Sequence, residues 1–151
     1  MAKGEFVMKK VIKTIFSFCC VIFIVTACDK NSRIVFPMEN GEIIKIKFDN
    51  DQGYEMTQSV PINFLKDSKI IAEANFINQV QYETYEKVII KSELTNIIHD
   101  VTNEKMSYII LNYNKSNYYA IVKILNSNYS LFIRNAESDI ILKECIERIK
   151  L

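Results

Sequence analysis

The chain has 151 residues, 49% of them hydrophobic, and carries 19 Lys and Arg against 18 Asp and Glu for a formal net charge of +1. That balance supplies no basic stripe for nucleic acid, and the length suits one domain. A single histidine, three glycines and no tryptophan leave little material for a zinc centre or a glycine-rich phosphate loop.

Residues 1–7, MAKGEFV, read as a leader or an upstream start, because Met8 opens a complete pattern of its own. Lys9, Lys10 and Lys13 precede an uncharged run over residues 14–27. A positive start followed by a short apolar core is a secretory signal, and the run is shorter than the ~20 apolar residues a membrane-crossing helix needs. It ends on Val25-Thr26-Ala27-Cys28, which resembles the lipobox of bacterial lipoproteins, where an aliphatic residue and two small ones precede the lipidated cysteine. The resemblance implies cleavage between Ala27 and Cys28, loss of residues 1–27 as signal peptide, and lipidation of Cys28 with diacylglycerol on sulfur and a further acyl chain such as palmitate on the amine. Each buried methylene adds ~0.8 kcal/mol, so several chains make a stable membrane anchor. The expected location is the bacterial cell envelope, facing the periplasm. Asp29 resembles the enteric signal that retains lipoproteins at the inner membrane, although other bacteria do not all follow that rule. Residues 28–33 form a lipidated tether that keeps the domain, residues 34–151, within roughly 20 Å of the surface.

Cys19 and Cys20 leave with the signal and Cys28 takes lipid, so Cys145 is the one remaining thiol and no intrachain disulfide is expected. An unpaired thiol in an oxidising compartment is best kept buried. From Cys28 onward 15 basic residues face 17 acidic ones, again without a nucleic-acid signature. The same region holds 14 asparagines, a bias of AT-rich coding, and the sequons at Asn114 and Asn128 read as turn residues.

Along the domain, Ile44, Ile46 and Phe48 alternate with Lys45 and Lys47, which predicts a strand over 42–48 with one wet face. Asp49-Asn50-Asp51-Gln52-Gly53 is turn chemistry, and residues 54–60 are expected to return as a second strand of a hairpin, stopped by Pro61. Residues 70–91 are read as strands. Leu94, Ile97, Ile98 and Val101 fall at helical spacing behind Ser92, which predicts a short amphipathic helix containing His99. Residues 106–113, 118–125 and 129–134 are strands with short Asn-rich connections, hence a β-meander. Residues 139–150 place Leu142, Cys145, Ile146 and Ile149 on one stripe behind a Ser138 cap, a C-terminal amphipathic helix. The expected fold class is α+β, an antiparallel sheet with the C-terminal helix packed on it. This order loosely resembles the small PsbP/Mog1-like envelope domains.

Chemistry-bearing candidates are few. His99 lacks an identifiable nucleophile and orienting partner, so it reads as a structural histidine, and the position of Cys145 on the helix stripe reads as core. Asp49, Asp51 and Glu55 open like a calcium loop, but Tyr54 and Val60 stand where a glycine and a bidentate glutamate are required, so no metal or cofactor is expected. Tyr113, Tyr118 and Tyr119 cluster in the meander, where tyrosine suits a surface both apolar and hydrogen-bonding. Strand 118–125 is apolar on both faces, so it is either covered twice or presents a partner site. These residues, with the acidic turn of Asp49, Asp51 and Glu55, are the expected partner-binding positions. The resulting expectation is a non-enzymatic envelope lipoprotein that binds a protein. By size and tether it resembles immunity proteins that neutralise periplasm-delivered toxins; the alternative is a structural or exclusion lipoprotein of a secretion or conjugation complex.

Overall fold

A computed structural model of the chain describes residues 33–104 and 106–151. The expected signal peptide, Ala27/Cys28 cleavage point, Cys28 lipidation site and tether as far as residue 32 lie outside the described residues. Residues Arg33–Leu151 form one compact unit.

Among the described residues ten antiparallel strands make two sheets, accompanied by two short helices, an α+β arrangement dominated by sheet. The smaller sheet has the order β1-β2-β10, from β1 (Arg33–Pro37), β2 (Ile43–Phe48) and β10 (Ile149–Lys150). The larger has the order β3-β4-β5-β9-β8-β7-β6. Its strands are β3 (Tyr54–Met56), β4 (Ile62–Lys66), β5 (Lys69–Asn78), β6 (Thr95–Thr102), β7 (Met106–Tyr113), β8 (Asn117–Ile124) and β9 (Tyr129–Ala136). Helix α1 (Gln79–Tyr85) runs on into a π-helical turn (Glu86–Ile90), and α2 spans Asp139–Glu147. Among the described residues no helix is long and apolar enough to cross a membrane.

The meander β7-β8-β9 follows from its turns. Asn114 and Lys115 both take positive φ (53° and 60°), as does Asn126 (64°), the left-handed geometry that fits tight connections to the twist of paired strands and that asparagine tolerates.

Three segments differ from the sequence expectation. The predicted hairpin over 42–60 does not form: β2 pairs with β1 and β10, whereas β3 is three residues long and pairs with β4. Ile34 and Phe36 of β1 alternate in phase with Ile46 and Ile44 of β2. The turn between β2 and β3, with Gln52 at φ 59° and Gly53 at φ 76°, sends the chain into the other sheet.

Of residues 70–91, only the first part is strand. Asn78 Oδ1 accepts from the Gln81 amide at 3.0 Å while Gln81 Oε1 accepts from the Asn78 amide at 2.9 Å, a reciprocal cap that starts α1.

The helix predicted over 94–101 is strand β6, paired with β7 from Thr95 to Thr102. Its register shifts between Ile97 and His99, and the bulged residue breaks the two-residue alternation in a way that imitates helical spacing. Ser92 is a turn residue whose hydroxyl accepts from the Leu94 amide at 3.2 Å. At the C-terminus, Ser138 Oγ accepts from the Ile141 amide at 3.3 Å as a helix cap. The helix stops at Glu147, short of the predicted residue 150, because Ile149 and Lys150 pair with Phe48 and Lys47 of β2.

The larger sheet is apolar on both faces. Ile110, Ala120, Val122, Leu131 and Ile133 share one buried cluster with Ile44, Ile46 and Phe48 and with Leu142, Cys145 and Ile146. Each Val, Leu, Ile or Phe among them contributes on the order of 1.5–3 kcal/mol when fully buried. On the opposite face Ile77, Ile121 and Phe132 form a second cluster beneath Tyr82, Tyr85, Ile89 and Ile90. Phe132 stacks on Tyr85 at 4.4 Å between centroids and on Tyr119 at 5.6 Å. Strand β8 is therefore covered twice, by α1 and its π turn on one side and the main core on the other.

Candidate binding groove

A groove of ≈ 470 Å³ opens among the described residues, within the range of ligand-binding clefts. The C-terminal half of β1 and the following turn, residues 35–39, form one wall, and residues 58–60 with Ile62 form the second. Ala74 and Phe76 of β5, with Tyr129 at the start of β9, close it. The Phe36 and Phe76 rings lie 5.1 Å apart and tilted, giving an apolar floor. The rim is amide-rich, with Gln58, Asn75, Asn78 and Gln81, and Glu39 is the charged residue on it.

The loop carrying the second wall is held by its own hydrogen bonds. Gln58 Nε2 donates to the Val35 carbonyl at 2.7 Å, Ser59 Oγ donates to the Pro61 carbonyl at 2.7 Å, and Thr57 Oγ1 accepts from the Asn63 amide at 2.9 Å. The Thr57 amide also donates to the Asn63 carbonyl at 3.0 Å. At the tip of this braced loop Val60 is 92% exposed. A braced loop that presents a β-branched apolar side chain loses little freedom when a partner covers it. Gln58 also occupies the Val35 carbonyl and Pro37 has no amide hydrogen, so the free edge of β1 is blunted against adding a further strand.

None of the six expected partner-binding residues lines this groove. The carboxylate of Asp49 faces the C-terminus: Lys150 Nζ lies 3.4 Å from its Oδ2, and Arg148 Nη1 donates to its carbonyl oxygen at 3.3 Å. The Asp51 amide first, then Lys150 and Arg148, hold the Asp49 carboxyl below its ordinary range. Asp51 lies in the turn before β3 and Glu55 on the exposed side of β3. Tyr113 ends β7 opposite Thr95. Tyr118 packs against the main core and Tyr119 against the second cluster, so these two neighbours serve opposite faces. Among the described residues no three His, Cys, Asp or Glu side chains converge as a metal site.

A further titratable cluster ties α2 to the start of β3 and the end of β4. Tyr54, 2% exposed, donates its hydroxyl hydrogen to Glu144 and accepts from Lys66 Nζ at 2.9 Å, while the Arg148 guanidinium lies 3.9 Å from its ring centroid. Burial first and Glu144 second push the Tyr54 phenol up. His99 Nε2 lies 3.8 Å from Asp139 Oδ2. Burial pushes the Cys145 thiol up to about 12, which keeps it protonated.

The groove is assembled from residues of β1, β5, β9 and the loop before β4, which are far apart in the chain. One local signal was available: a valine within the polar run Thr57-Gln58-Ser59-Val60, ahead of Pro61. No family model, curated protein or solved structure matches the chain.

Proposed function

We propose that this chain is a lipid-anchored bacterial envelope protein, tethered through Cys28, that binds a protein partner rather than performing catalysis. The partner class is a toxin delivered into the periplasm, neutralised by occlusion. In this reading the terminal helix α2 packs on the sheet and stiffens the scaffold behind the groove. The observation that carries the proposal is the preformed apolar groove flanked by the braced loop with Val60 exposed. An apolar side chain beside a cation fits it, the cation meeting Glu39 at the rim. Cys145 is buried and its thiol is pushed up to about 12 by that burial, which fits a core residue in this reading.

The test places a photo-crosslinking residue at Val60 of the full chain in its native envelope, and separately at Lys115 in the β7–β8 turn. A discrete adduct formed from Val60 and absent from Lys115, identified as a toxin by mass spectrometry, is the expected result. An adduct with subunits of a secretion or conjugation complex moves the protein to the structural or exclusion class. Identical adducts from both positions, or none from Val60, reject the groove. Labelled palmitate incorporated by the parent chain and lost in Cys28→Ala checks the anchor independently.

A further inference from the structure

The smaller sheet carries an unusual row of charge. Arg33 of β1 is directly opposite Lys47 of β2, which is directly opposite Lys150 of β10. Lys45 follows two residues away, opposite Val35. The other face of these strands is buried through Phe36, Ile44, Ile46, Phe48 and Ile149, so the four cations share the outward face. Like charges directly opposed across strands destabilise a sheet. Lys150 has Asp49 at 3.4 Å; among the described residues Arg33, Lys45 and Lys47 have no carboxylate within ion-pair distance.

The rest of the domain has the opposite sign. Residues 33–151 hold 14 basic and 16 acidic side chains; setting these four cations aside leaves 10 against 16. The domain therefore has a basic sheet face and an acidic remainder, a distribution that orients it against a negative surface. Ile43 (59% exposed) lies among the cations and supplies an apolar group for an interface. β1 begins at Arg33, five residues after Cys28, so this face is joined directly to the tether.

We infer that the outward face of the smaller sheet, Arg33, Lys45, Lys47 and Lys150, docks the domain on anionic phospholipid. This goes beyond the proposed anchor, on which it rests for proximity alone. The anchor sets the distance and the face sets the orientation. The groove takes no lining residue from β2 or β10, and none of the four cations lines it. Each lysine or arginine brought to an anionic surface strengthens the contact about fivefold, and the effect decays within a Debye length of ~8 Å at physiological salt.

The full chain, reconstituted in vesicles of phosphatidylcholine with or without phosphatidylglycerol, is treated with a membrane-impermeant amine reagent and read lysine by lysine by mass spectrometry. Labelling of Lys45, Lys47 and Lys150 is expected to fall about fivefold in phosphatidylglycerol vesicles relative to phosphatidylcholine, and to recover in high salt. Lys87 and Lys115, on other elements, are expected to label equally in both. Lys45→Glu with Lys47→Glu removes the protection of Lys150. If that variant does not fold, the lipid contrast and its salt reversal in the parent chain decide alone. Protection independent of lipid charge, or spread evenly over all lysines, overturns the inference. A face protected in native envelopes but bare in both vesicle types assigns it to an acidic protein and also overturns it. Flotation separates the two proposals: a chain that floats without selective protection keeps its anchor and loses the docking face. A chain that fails to float loses the anchor reading, and labelling with excess vesicles still decides the face.

Discussion

Replacing Phe132 by alanine tests whether the second face of the sheet is a true core. The ring is 4% exposed and lies 4.4 Å from Tyr85 and 5.6 Å from Tyr119, with interplanar angles of 19° and 22°. Truncation of a buried phenylalanine costs about 3–5 kcal/mol, of which each stacked pair accounts for ~0.5–1.5 kcal/mol. Against a domain stability on the order of 5–15 kcal/mol, that loss is a large share. Phe132→Leu keeps much of the apolar volume and loses the two stacks, so its cost is about 1–3 kcal/mol. Urea denaturation of residues 33–151, followed by far-UV circular dichroism, gives both values. A cycle with Tyr85→Leu is expected to show coupling of about 0.5–1.5 kcal/mol. The reasoning fails if Phe132→Ala costs less than ~1 kcal/mol and the α1 amides exchange freely in the parent chain. The outer face would then be open, and strand β8 would be a partner surface.

The other outcomes follow from single residues. With the Cys145 thiol up at about 12 in the folded chain against an ordinary 9.0, the folded state holds its proton where the unfolded chain has lost it. Its contribution is complete below pH 9 and falls by about 1.4 kcal/mol per pH unit from there towards 12. Cys145→Ala is expected to flatten that alkaline limb of the stability profile, and native Cys145 should resist a thiol reagent at pH 8 until the chain unfolds. Gly53→Ala, at φ 76° and with its Cβ directed 2.3 Å from Asp67 Oδ1, costs about 1–2 kcal/mol in thermal melts; Asp67→Ala relieves the clash and leaves the backbone strain. Val60→Asp, at a side chain already in water, should leave denaturant stability within about 0.5 kcal/mol and abolish the crosslinkable partner complex. A concomitant loss of stability would show that the loop is structural.

Some of this molecule is written in local sequence. The wet-faced strand 43–48, the three meander strands and the Ser138-capped helix depend on alternation, turn residues and a cap, all interactions within a few residues. The asparagines set aside as coding bias prove conformationally useful at 114, 126 and 135, each with positive φ. The errors share a cause. At β6 a bulge disguised a strand as a helix, and only pairing with β7 along its length settled the conformation. At residues 79–90, apolar side chains read as strand belong to a helical cover whose value lies in Phe132 and Ile121, more than thirty residues downstream.

The candidate sites divide in the same way. Local pattern sufficed to foresee a buried Cys145, because that depends on one periodic stripe. The assignment of β2 and β3 to different sheets, the double covering of β8, the groove beside Val60 and the row Arg33, Lys47 and Lys150 were decided by tertiary structure. Each requires residues distant in the chain to be set side by side. Long-range strand pairing fixes their register, and with it which side chains share a face, from burial that no local window contains.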